Sequence, residues 1–146
     1  MNDEVKKKAP PAVSLKTLLT SNKTVEFEFP DLDGFVVQLN YLAREEMVKL
    51  RNKCVSQKFN KKTRSFEESL DDDKFLELYV ESVIKGWKGL TLEYLSSLIL
   101  INEGYDPEAE LEFSVENANI LMKNSNTFDT WVTEMVGNLE NFTSPK

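Results

Sequence analysis

The chain has 146 residues, 40% of them hydrophobic, and a formal net charge of −7, with no histidine and one cysteine. That length and apolar content supply one core and not two. No apolar run approaches the roughly 20 residues that span a bilayer, a lone Cys54 excludes an internal disulfide, and the acidity argues against a face for nucleic acid.

Residues 1–13, MNDEVKKKAPPAV, mix charge with two prolines and carry no period, so they read as a flexible N-terminal arm. They also lack the apolar stretch of a secretory signal, which makes a cytosolic location the expectation. Residues 14–146 read as a single domain. Ser14 can cap a short turn whose Leu15, Leu18 and Leu19 would dock on the body. Val25, Phe27 and Phe29 then alternate with Glu26 and Glu28, and after a turn at residues 30–34 the alternation resumes with Phe35, Val37, Leu39 and Tyr41. A period of two on both sides of a turn predicts a β-hairpin.

From Ala43 to Lys58 the spacing becomes helical, with Leu42, Met47, Leu50 and Cys54 on the buried side. Cys54 reads as a small hydrophobe, because no histidine exists to activate its thiol. Residues 59–70 are charged and without an apolar period, and read as a loop. A helix is expected from Asp71 to Trp87, capped by its leading acids and ended by Gly86 and Gly89, with Trp87 folding back as a core plug. Another is expected over residues 90–101. Ser114 opens a further helix, and a last one starts near Ser125, where Phe128, Trp131, Val132, Met135, Val136, Leu139 and Phe142 form a stripe four turns long. The fold class is therefore α+β, mainly α: an N-terminal β-hairpin followed by about five helices in one compact domain.

Charge is unevenly distributed along the chain. Residues 44–64 hold eight basic and two acidic side chains, whereas residues 65–146 hold five basic and seventeen acidic ones. Such polarity suits protein partners or self-association. Asp31-Leu32-Asp33-Gly34 resembles the start of a calcium loop, but its glycine comes two positions early and no carboxylate sits at the closing position, so it reads as a turn, and the acids at 106, 108, 110 and 112 read as solvated surface. No metal, cofactor or catalytic residue is assigned, and no enzymatic activity is expected. The terminal stripe exceeds what one core edge needs, so Phe128, Trp131, Met135 and Phe142 are candidate partner-binding residues, with Phe128, Met135 and Phe142 expected to be exposed. Lys58, Lys61, Lys62 and Arg64 are the candidate electrostatic contacts.

The order of these parts is familiar. VVQLNYLAREEMVKLR, then FNKKTRSFEE, then LDDDKFLELYVESVIKGWKGLTLEYL, then ELEFSVENANILMKNSNTFDTWV and a terminal ENF together resemble the tail assembly chaperones of long-tailed, siphovirus-type bacteriophages. The resemblance runs over residues 35–142, and its most specific pieces are 42–50, 83–90 and 128–132. It implies a mostly helical, oligomerising, non-virion protein of the host cytoplasm. Such a protein coats the tape measure protein and brings tail tube subunits to it, and it is made alongside a longer frameshifted form. Two other readings stand beside it: a structural virion subunit of tail terminator or connector type, and a small acidic regulatory protein.

Overall fold

The computed structural model describes residues 12–20 and 22–143; the expected arm falls almost wholly outside them. The elements, in chain order, are α1 (Leu15–Leu18), β1 (Asn22–Glu28), β2 (Val36–Leu42), α2 (Arg44–Asn52), β3 (Val55–Asn60), β4 (Ser65–Leu70), α3 (Asp72–Val83), β5 (Ile84–Lys88), α4 (Leu92–Ser96), α5 (Val115–Asn124), α6 (Asn126–Val136) and α7 (Glu140–Thr143). Helix accounts for 42% of the described residues and strand for 25%, so the chain is α+β with helix in excess. It is not, however, a hairpin followed by helices. Two antiparallel sheets are interleaved with them, one ordered β1-β2-β5 and the other β3-β4.

The expected first hairpin is present, its register running from Asn22 opposite Leu42 to Glu28 opposite Val36. Alternation is what makes it work: Phe29, Phe35, Val37 and Leu39 face the core, while Glu26 and Glu28 stay in water. Gly34, at φ 88°, turns the chain, and its N–H donates to Glu28 Oε2 at 2.8 Å. Asn40 is the one polar side chain buried in this sheet among the described residues, and both ends of its amide are partnered. It accepts from Thr24 Oγ1 at 3.1 Å and donates to the Ser82 carbonyl at 3.0 Å, tying β1 and β2 to the end of α3.

The helix expected to reach Trp87 stops at Val83 instead. Asp71 caps it as anticipated, accepting from Lys74 N–H at 3.1 Å. Beyond Val83 the β-branched pair Val83-Ile84 meets the open edge of β2, and residues 84–88 extend to pair with it. Trp87 is a core residue as expected, but it is held by a strand. Its Nε1 donates to the Leu111 carbonyl at 2.9 Å, and its ring meets Phe35, Phe113 and Phe128. Gly89 lies so close to the first hairpin that a Cβ there would come within 1.9 Å of the Gly34 carbonyl oxygen.

Four other expectations are corrected. The helix expected through Lys58 ends at Asn52. The helix over residues 90–101 is one short turn, because Ser96 and Ser97 turn their hydroxyls back onto the carbonyls of Glu93 and Tyr94, each at 2.6 Å. The terminal stripe is two helices, broken at Gly137 and restarted where Asn138 Oδ1 accepts from Glu140 N–H at 3.0 Å. The leucines of α1 do not dock: Leu15, Leu18 and Leu19 are 74%, 64% and 59% exposed, although Ser14 caps the turn as anticipated. No helix among the described residues is long and apolar enough to cross a membrane.

Candidate functional site

Three helices and one strand end leave a gap between them. Tyr41 and Leu42 at the end of β2, Arg44 and Met47 on α2, Phe75, Leu76 and Tyr79 on α3, and Asp129, Thr133 and Val136 on α6 line a groove of about 530 Å³. Each helix contributes the edge of its apolar stripe. The centre of each stripe goes into the core with Leu50, Val80, Val83, Phe128 and Val132, and beside them Met47, Phe75 and Leu76, half-buried, and Tyr79 and Val136, buried, line the gap. The walls are aromatic and aliphatic, while Arg44 and Asp129 place one charge of each sign in the lining.

Tyr79 joins core and groove. Its ring stacks on Phe75 with centroids 6.1 Å apart. Burial pushes its hydroxyl above the ordinary tyrosine value; a hydrogen bond with Thr133 pulls it back, and the negative charge of Asp129 adds to the rise. Asp129 in turn accepts from Thr133 Oγ1 at 3.2 Å. The hydroxyl is therefore a neutral polar point on an otherwise greasy wall.

The second feature is the hairpin of β3 and β4, where a loop was expected. It pairs from Val55 opposite Leu70 to Asn60 opposite Ser65, and at its base Asp71 N–H donates to the Cys54 carbonyl at 2.9 Å. Asn60 builds the tip: Oδ1 accepts from the N–H groups of Lys62 and Thr63 at 2.8 and 3.3 Å, and Nδ2 donates to Glu67 Oε2 at 3.0 Å. No apolar alternation marks these strands because most of their residues face water on both sides. What holds them is the backbone ladder between the strands and the cross-strand pair of Phe59 with Phe66. Those two rings, 53% and 67% exposed, meet edge to face at 5.3 Å.

The candidate residues thus divide. Lys58, Lys61, Lys62 and Arg64 are all exposed on the hairpin, around its tip. Phe128 and Phe142, expected to be exposed, are buried at 0% and 2%. Phe128 sits among Phe29, Phe35, Trp87 and Trp131, and Phe142 against Phe27 and Tyr41. They complete the core because α6 and α7 pack on β2 and β1 of the first sheet, beside α3. Trp131 and Met135 are half-buried against that core and do not line the groove. The groove residues themselves belong to stripes that periodicity assigns to the core; that their edges fail to meet is a property of how the helices cross. Among the acids at 106–112, Asp106 accepts from Glu108 N–H at 3.0 Å and Glu110 from Gly89 N–H at 3.3 Å. No group of three or more His, Cys, Asp or Glu side chains among the described residues is placed to hold a metal ion.

Neither the curated proteins nor the solved structures yield a match to this chain. A family model does: that of the YdaY prophage protein, over residues 41–145. These residues include α2, the β3-β4 hairpin, α3, α6 and every wall of the groove. With well over half its length matched, the chain belongs to the YdaY prophage protein family.

Proposed function

We propose that the protein is a phage tail assembly chaperone that binds the tape measure protein, helps recruit tail tube subunits, and is absent from the finished virion. The observation that carries this reading is the groove: an open, apolar, three-helix-walled channel large enough to take a row of side chains from a partner helix. The prophage family and the resemblance of residues 35–142 to tail chaperones support it. A tape measure protein is a long, mainly helical rod with apolar seams to cover before the tube encloses it, and a reversible groove suits that task. The protein acts in the host cytoplasm by binding alone, with no bond made or broken and no cofactor. Its basic hairpin tip adds fast, salt-sensitive attraction to acidic stretches of the client.

The test is co-expression with the tape measure protein of the same prophage. Wild-type chain should co-purify with it; Leu76→Asp, which places a charge on a half-buried groove wall, should lose it while keeping the wild-type circular dichroism. Retention of the client by a folded Leu76→Asp protein would overturn the assignment. A second reading, a structural virion subunit, is favoured by the projecting hairpin with its two exposed rings, the kind of arm that inserts between neighbours. Stoichiometric amounts of the chain in purified particles would select it.

A further inference from the structure

We infer that the groove reads charge as well as shape: the client helix it takes carries acid along one flank of its apolar row and base along the other, matched by Arg44 and Asp129, and this pair sets the direction in which the helix lies. The starting point is the arrangement of the walls. α3 is the floor, since α2 packs on it and Tyr79 reaches Thr133 of α6 by a hydrogen bond. α2 and α6 stand to either side, α2 resting on α3 and β2, and α6 on α5 and β2. Arg44 and Asp129 are the charged residues in the groove lining, one on each side.

Neither charge is matched within the chain. No ion pair joins either one to a described residue. The Asp129 carboxylate, half-buried, accepts from Thr133 Oγ1 at 3.2 Å and has lone pairs for further donors. Arg44 is exposed and is the first residue of α2, at the positive end of the helix dipole, where a base is the less favourable choice. Helix stability therefore does not account for its guanidinium, whereas a carboxylate brought into the gap would. A helical row spaced i, i+3, i+4 and i+7 has two flanks, and turning the helix end for end exchanges them. Between one positive and one negative wall, one direction gives two attractions and the other two repulsions, which is how like charges reject a wrong fit. The inference rests on the groove being the client site, as proposed above, and names what that client must carry.

Designed helical peptides of about 20 residues with one shared leucine row are the probes: the first has Glu on one flank and Lys on the other, the second Lys on both, the third Glu on both. Fluorescence anisotropy with the full chain should rank the first tightest, by about three- to tenfold. Arg44→Glu should prefer the second and Asp129→Lys the third, each keeping the wild-type circular dichroism. In 1 M salt, where the screening length is about 3 Å, these preferences should flatten. A nitroxide at the N-terminus of the first peptide should broaden one set of groove amides, and in a version with its flanks exchanged, a different set. A ranking common to all three proteins, the same amides broadened by both versions, or no peptide bound by wild type would each overturn the inference. These assays contain no tape measure protein. Client loss in Leu76→Asp with an unchanged ranking in Arg44→Glu would remove this inference alone, and client retention by Leu76→Asp would remove the chaperone assignment.

Discussion

Replacing Phe128 with alanine should unfold much of what holds this molecule together. The ring is fully buried, with Phe29 at 6.0 Å, Phe35 at 6.3 Å, Trp87 at 6.3 Å and Trp131 at 6.2 Å between centroids. It joins α6 to both strands beside the hairpin turn and to β5. Truncating a buried Phe costs about 3–5 kcal/mol through lost transfer energy and the cavity left behind, and four ring contacts place this site at the upper end. For a domain near 150 residues each kcal/mol shifts the melting temperature by about 2–4 °C, so Phe128→Ala should melt roughly 10–20 °C below wild type. Phe66→Ala is the matched control: the same atoms are removed from a ring 67% exposed on the hairpin, at a cost under about 1 kcal/mol. Differential scanning calorimetry reads both. A Phe128→Ala protein melting within about 3 °C of wild type would refute the placement of this ring at the centre of the core.

Gly89 and Gly34 make a second matched pair, since both have positive φ, 78° and 88°. A Cβ at Gly34 meets nothing within 4 Å, whereas one at Gly89 would strike the Gly34 carbonyl oxygen. Gly34→Ala should cost about 1 kcal/mol from the left-handed backbone alone, and Gly89→Ala about 2–4 kcal/mol more, measured by urea denaturation. For Tyr79 the sign follows from a folded-state pKa raised by burial. The neutral form is favoured in the folded chain, so this stability is complete below the unfolded value of about 10 and declines as pH rises past it. Tyr79→Phe should show a smaller loss of urea midpoint between pH 9 and pH 11 than wild type; an equal or larger loss would contradict the assignment.

The sequence carries the first hairpin plainly because one of its faces is buried, so that burial and alternation coincide at Val25, Phe27 and Phe29. Helix starts are equally legible, since Ser114, Ser125 and Asp71 each accept the N–H three residues on. The β3-β4 hairpin is hidden from periodicity because its stability comes from cross-strand pairs and an asparagine-built tip; Phe59 and Phe66, equidistant from the turn, are its only trace. β5 is hidden for another reason: Ile84 to Lys88 continue a helical stripe, and only the open edge of β2 converts them to strand. The groove is least legible of all. Periodicity places Met47, Phe75 and Val136 within apolar stripes, but whether stripes meet edge to edge depends on helix crossing, which no local pattern encodes. The same limit explains Phe128 and Phe142, whose excess over one core edge disappears once the three-stranded sheet beneath them is counted.

A helix of the tape measure protein seated in the groove, as proposed, is read out by amide chemical shifts. Titrating a helical tape measure fragment into isotopically labelled chain should move the resonances of Leu42, Met47, Phe75, Leu76 and Val136 in a saturable, concerted way, leaving Ala118 and Leu121 on the far side of α3 still. Saturation with no shift at the groove, or shifts restricted to residues 58–66 of the hairpin, would contradict it.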